Sequence, residues 1–324
     1  MEAKQRPKLK ERTTTEWMKI FSSLYSKTDS DRTPEQMWIA VMAHASTIGE
    51  DIRKYSIESL TTHAAHMFCW LCSFINRCNA LPSDDVFSIS EPLFGIVSVK
   101  YPGACGHCTD AVCSCDPKKI ESVKDKAGKY ALLLDRRKRD CTSFESYSIE
   151  SYRTMFYDVF GRKLQIQTLE NIGFHFLEEI GEAAVSVRQL SQLRKIASYN
   201  NTGIDSAFIK QLCSGESIVN NYLKFGRKDI MLDSKDPAML KARLVNAKMD
   251  LIAEIGDSFS WFCAILNKQH AISEAIFDDP DKHKDIFPSL EQVLNKEYLD
   301  ESGKALCPSC KSSPCKCAFY NVIC

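Results

Sequence analysis

The feature that most constrains this chain is a cysteine spacing that occurs twice. Cys105, Cys108, Cys113 and Cys115 lie in CGHCTDAVCSC, and Cys307, Cys310, Cys315 and Cys317 lie in CPSCKSSPCKC, so both stretches read CxxCxxxxCxC. Four thiols this close together can wrap one tetrahedral ion, and Zn²⁺ suits soft sulfur ligands without any redox change. Two structural zinc ions per chain are therefore expected. Disulfide pairing is the alternative reading; an iron–sulfur cluster is a further one, for which the short spacing leaves little room. The remaining cysteines, Cys69, Cys72, Cys78, Cys141, Cys213, Cys263 and Cys324, read as small buried hydrophobes rather than reactive thiols.

The repeat extends a long way upstream of the two knuckles. CWLCSFIN (69–76) precedes the first knuckle and SWFCAILN (260–267) the second, which aligns Trp70 with Trp261, Cys72 with Cys263 and Asn76 with Asn267. Further back, IGED (48–51) answers IGEA (180–183), and FSSLY (21–25) answers FYDVF (156–160). The matches keep one order, so each half reads as a helix, a helix pair and a knuckle.

Helix signals are plain and strand signals weak. Thr33, Pro34 and Gln36 supply an N-cap, a proline at the first helical position and a capping-box glutamine, predicting a helix to about Lys54. Ser56 is expected to cap the next, which runs to about Asn79. Thr168 opens a segment towards Tyr199, and Asp236-Pro237 opens another with Leu240, Leu244, Leu251, Ile255, Phe259, Phe262 and Leu266 at helical spacing. The expected fold is all-α: tandem halves of four-helix-bundle type, with two small four-cysteine zinc knuckles.

Charge excludes some functions. Lys plus Arg (42) equals Asp plus Glu (42), so no global field draws the chain to nucleic acid or an anionic membrane. The opening MEAKQRPKLKERTTTEW is polar and has no apolar stretch, which reads as a flexible tail, neither signal peptide nor anchor. No apolar run reaches the roughly 18 residues of a membrane span, and a cytoplasmic protein is expected.

The chemistry concentrates in the second half. LEEIGEAAVSVRQL carries Glu178, Glu179 and Glu182, and DLIAEIGDSFSWF carries Glu254 and Asp257. Residues three apart share a helix face, so Glu179 with Glu182, and Glu254 with Asp257, form one pair on each helix. Antiparallel packing would bring the pairs together, and converging acids raise one another's pKa unless a cation neutralises them. Oxygen ligands favour Mg²⁺ or Mn²⁺ over Zn²⁺.

EEIGE followed by EIGD resembles the EExxE…ExxD signature of MazG-like all-α nucleoside triphosphate pyrophosphohydrolases, relatives of dimeric dUTPases, and Asn267 matches that family's asparagine. The resemblance implies Mg²⁺-dependent hydrolysis of a nucleoside triphosphate to monophosphate and pyrophosphate, in house-cleaning or regulated nucleotide depletion such as antiviral defence. It implies Glu179, Glu182, Glu254 and Asp257 as metal ligands, Glu178 as an auxiliary ligand or base, and a substrate contact from Asn267. Lys268 is a further substrate-contact candidate, and Arg227 and Lys228, on an insertion that departs from the family pattern, are candidates to reach a phosphate. It also implies an oligomer, most simply a homodimer. The first half departs from the pattern: Ser46 and Thr47 stand for Glu178 and Glu179, His63 and His66 stand for Glu254 and Asp257, and only Glu50 keeps its acid. That half is expected to be silent, a wall of the other's pocket, with a His₂Glu metal site at Glu50, His63 and His66 as the alternative. The layout is then a tail (1–16), a degenerate half (17–100), a knuckle (101–117), a charged connector (118–150), a catalytic half (151–300) with an insertion at 196–235, and a last knuckle (301–324). The competing function is a catalytically inactive zinc-containing scaffold that binds nucleic acid or protein, although the knuckles carry few aromatics beyond His107, Phe319 and Tyr320. Trp17, Trp38 and His175 are candidates for contact with the base.

Overall fold

The computed structural model describes residues 11–83, 85–105, 108, 110–115, 144–200, 237–276 and 288–317. Among them the chain is all-helical: α1 (Thr14–Ser30), α2 (Pro34–Lys54), α3 (Ile57–Asn79), α4 (Leu93–Lys100), α5 (Ile149–Gln165), α6 (Leu169–Asn200), α7 (Pro237–Ile276) and α8 (Leu290–Tyr298). No described helix is long and apolar enough to cross a membrane. The sequence signals act as expected at α2, where Thr33 and Gln36 close a capping box and Pro34 occupies the first turn. Ser56 stands before α3 without a side-chain cap bond. Arg227, Lys228, Cys141, Cys213, Cys324, His107, Phe319 and Tyr320 lie outside the described residues, as do residues 1–10 and nearly all of the connector and insertion.

The expected tail ends earlier than the sequence suggested. Thr13 and Glu16 form a reciprocal capping box that opens α1 at Thr14, so residues 14–16 are helix, and Arg12 reaches Glu291 and Asn295 of α8. At the other expected boundary, the last residues of the connector are structured: Ser148 caps α5, and Tyr147 accepts a bond of 3.0 Å from the Thr14 N–H.

The helices pack in antiparallel pairs around one large hydrophobic core, with a small second cluster of Cys105, Cys113 and Val159 at the first knuckle. On α2 and α3, Trp38 faces Phe74, His44 faces Trp70 and Asp51 faces His63; on α6 and α7, His175 faces Trp261 and Phe176 faces Phe262. The pairs meet closely where α2 crosses α6: a Cβ on Gly173 would stand 2.8 Å from Ile52 Cδ1, the tip of a side chain that would have to shift. They meet again where Phe68 and Phe259 approach to 6.4 Å between ring centroids. Those two phenylalanines occupy matched positions of the repeat and are fully buried.

The closing segment of each half lies on the other half. Between α3 and α4 the chain is pinned to the second half by Lys248, which donates to the carbonyls of Asp85 and Ser88, and by Arg194, which pairs with Asp85. Helix α4 then lies on α7, near Gly256, and Tyr101 packs edge-on against Phe156 of α5. Reciprocally, α8 lies on α3, Trp17 of α1 donates to Glu291, and Tyr298 packs edge-on against Phe21. The knuckles follow suit. The Cys113 N–H donates to the Val159 carbonyl of α5 at 2.7 Å, and the Cys315 N–H donates to the Leu24 carbonyl of α1 at 2.9 Å. Val159 and Leu24 are matched positions, as are Phe156 and Phe21.

Candidate functional site

The carboxylates of Glu179, Glu254 and Asp257 converge between α6 and α7, each offering an oxygen within 4.8 Å of the others. Antiparallel packing sets this up: Glu179 stands one turn after His175, and Asp257 one turn before Trp261, at the level where those two rings stack 4.7 Å apart. Glu254 and Asp257 are buried, at 8% and 7% exposure. Burial pushes the Glu179 carboxyl up to about 8, with Asp257 and Glu254 adding to the shift and Lys100 opposing it. Glu254 is also raised, first by burial, while the hydrogen bond with Glu179 pulls the other way. The hydrogen bond between the two carboxyls thus works to raise Glu179 and to lower Glu254. Three acids held together at this depth can hold a divalent cation through oxygen ligands.

Two expected members stand apart. Glu182 is exposed and outside the converging group, acting on Glu254 only through its charge. Glu178 faces solvent beside His175, 3.2 Å away. The step of about 100° between successive helical residues turns Glu178 away from the α6–α7 seam, whereas Glu182, about 60° round and one turn beyond Glu179, is left exposed outside it. Asn267 and Lys268 are turned toward α5, not toward the acids. Asn267 donates to the Arg153 carbonyl at 3.0 Å and accepts from Arg153 Nε, and Lys268 donates to the Gln165 carbonyl. Ten residues of helix separate Asn267 from Asp257, about 15 Å of rise. Asn76 does the same work in the first half, donating to the Met18 carbonyl at 2.8 Å, and Met18 matches Arg153 in the repeat. Trp17 and Trp38 are sealed in the core at 0% and 1% exposure, which removes them as surfaces for a base.

Two residues at this centre carry no local sequence signal. Lys100 Nζ and Tyr101 Oη, from the end of α4, both bond to Asp257. Burial and the adjacent Asp257 charge push the Tyr101 phenol well above its ordinary range, so it stays a donor.

The matched positions of the first half form a different constellation. Thr47 turns its hydroxyl back to the Ala43 carbonyl, and Glu50 is solvent-exposed in a pair with Lys54 at 2.6 Å. His63 pairs with Asp51, and His66 lies edge-on to His44. Burial lowers the His66 pKa, with the charge of Glu297 opposing. Glu50, His63 and His66 do not converge as a metal-binding group.

Both knuckles bring all four sulfur atoms within 4.8 Å of one another. The pairs Cys105–Cys115, Cys307–Cys317 and Cys310–Cys315 stand 3.7, 3.8 and 3.9 Å apart. A tetrahedral zinc tetrathiolate with bonds of about 2.3 Å has edges of about 3.8 Å, whereas a disulfide brings its sulfurs to about 2.0 Å. None of the twelve described cysteines forms a disulfide. Backbone donors prepare matched sulfurs: the Ser114 N–H points at Cys108 and the Lys316 N–H at Cys310. Burial would raise the Cys108 thiol, but the N–H groups of Ser114 and Asp110 outweigh it and bring it to about 7; at Cys310 the Lys316 N–H leads a set that reaches about 6. Both clusters fit Zn²⁺. Compared with protein-family models, curated proteins and solved structures, the chain matches none.

Proposed function

We propose that the chain is a Mg²⁺- or Mn²⁺-dependent nucleoside triphosphate pyrophosphohydrolase, built from two MazG-like helical halves of which the second carries the reaction. The observation that carries this reading is the convergence of Glu179, Glu254 and Asp257 from two antiparallel helices at the positions of the EExxE…ExxD resemblance. These three residues would hold the ion, whose contribution is Lewis acidity toward the phosphate oxygens. Glu182, one turn further along α6, adds negative charge at the rim. Glu178, which lies on the solvent side beside His175, would be the auxiliary ligand or base of the resemblance. The half-exposed Trp261, with His175 stacked on it, offers an aromatic surface for a base. The silent first half supports the site through the α2–α6 contact, and the whole is expected to act in the cytoplasm as a homodimer.

The test is a panel of ribo- and deoxyribonucleoside triphosphates with Mg²⁺, with products resolved. Monophosphate plus pyrophosphate is expected; diphosphate plus phosphate as the main products would sink this mechanism. The alternative is an inactive zinc-containing scaffold, in which Lys100 and Tyr101 serve as structural partners of Asp257. On that reading no triphosphate is turned over.

A further inference from the structure

Lys100 enters the acidic centre from the half that contributes none of its carboxylates. Its ammonium rests on Asp257, alongside Glu179 and Glu254, and offsets part of a charge that the centre would otherwise hold uncompensated. Packing does not explain this lysine. Tyr101 and Tyr298 both lie edge-on against matched phenylalanines at the ends of α4 and α8, yet the residue before each tyrosine is Lys100 in one case and Glu297 in the other. The tyrosines are kept by the shared packing, and the charge beside them follows what each faces. Lys100 faces Asp257, and Glu297 acts on His66.

We propose that Lys100 is an exchangeable cation of the acidic centre, which holds Asp257 while no divalent ion is bound, is displaced when one binds, and then engages the substrate's phosphate. The inference rests on the metal-site reading above. An ammonium and a divalent ion on one carboxylate repel each other, and in a half-buried site that repulsion is weakly screened, so binding of the ion works against the Lys100–Asp257 pair. Lysine can leave: its charge rides on a flexible four-carbon stem, this one stands at the C-terminal end of α4, and its side chain is 32% exposed. Once free of Asp257, an ammonium anchored at the rim of a metal–carboxylate centre finds its best partner in a polyphosphate, which brings several negative charges to that point. Tyr101 keeps its place, so the end of α4 stays docked as the lysine moves.

Three measurements on the full-length zinc-loaded chain test this. First, Mn²⁺ alone is titrated into wild type, Lys100→Met and Glu179→Gln. Lys100→Met should bind it about tenfold or more tighter, the scale on which one adjacent unit charge shifts an ionisation, and Glu179→Gln should bind it more weakly. Second, inorganic pyrophosphate is titrated into the Mn²⁺-loaded proteins, where Lys100→Met should bind about tenfold or more weakly. Third, acetylation of Lys100 in wild type, followed by mass spectrometry, should speed up when Mn²⁺ is added; this readout needs no variant to fold. Unchanged or weaker Mn²⁺ binding by Lys100→Met, or a lysine no more reactive with the ion present, overturns the proposal and leaves a fixed salt bridge. If wild type and Glu179→Gln bind Mn²⁺ alike, the metal site itself fails, and the lysine proposal with it.

Discussion

The surroundings of Asp257 and of His66 share a helical frame. In each, an antiparallel helix pair presents its residue to the tyrosine-bearing end of a short helix, an asparagine further along ties the pair to the half's first helix, and a knuckle from the other half grips that helix. What differs is charge. The second half gathers three carboxylates under a lysine, whereas the first places histidines near a glutamate and sends its one retained acid, Glu50, out to Lys54. The frame is therefore separable from the chemistry it carries, and each can be attacked alone.

The largest effect should come from the knuckles. Elemental analysis of protein purified under reducing conditions should find two zinc ions per chain, and Cys105→Ser and Cys307→Ser should each remove one. Each should cost much of the stability of the fold, because structural zinc contributes on the order of 10 kcal/mol. The crossing makes this specific: losing the first knuckle should speed amide exchange in α5, and losing the second should speed it in α1. Zinc-free protein with an unchanged melting temperature would break the shared frame at its base.

Next come the site residues. Glu179→Gln and Asp257→Asn should lower turnover by at least about a hundredfold, the scale of losing a group that acts in the chemical step, with helical circular dichroism unchanged. His63→Ala with His66→Ala should lower it less than about tenfold, through packing alone. Equal losses on both sides would promote the first half to a working site.

Smaller effects test the frame. Phe68→Ala and Phe259→Ala should each cost about 3–5 kcal/mol in chemical denaturation, and the double variant should cost less than the sum because the rings touch. Smallest of all, Asn76→Ala and Asn267→Ala should each cost about 1 kcal/mol, with Asn267→Ala leaving KM for a triphosphate unchanged. A raised KM would return Asn267 to the substrate.

Much of the frame was legible because it is written in local pattern. Thr33-Pro34 marks the start of α2, and helical spacing carries α7 over 40 residues. The Glu254–Asp257 pair was legible for the same reason, since i, i+3 spacing places two carboxylates on one face, whereas Glu182, the expected partner of Glu179, stays outside the group. Which of Glu178, Glu179 and Glu182 enters the seam was not, because that depends on the rotation of α6 against α7. Helix α4 went unread because LFGIVSVK is apolar at nearly every position before its last residue and shows no period. Lys100 could not be found at all: it lies 157 positions from Asp257, and nothing in the pattern says that each closing segment crosses to the other half.

That crossing bears on how the two sites can diverge. An assembly of two identical chains that exchanged their closing segments would present the same residue at both cradles, so a lysine suited to one would be imposed on the other. In a single chain, positions 100 and 297 are separate residues and can differ, as Lys100 and Glu297 do. Lysine can stand opposite an aspartate and glutamate opposite a histidine, and neither cradle has to accept the charge its counterpart requires.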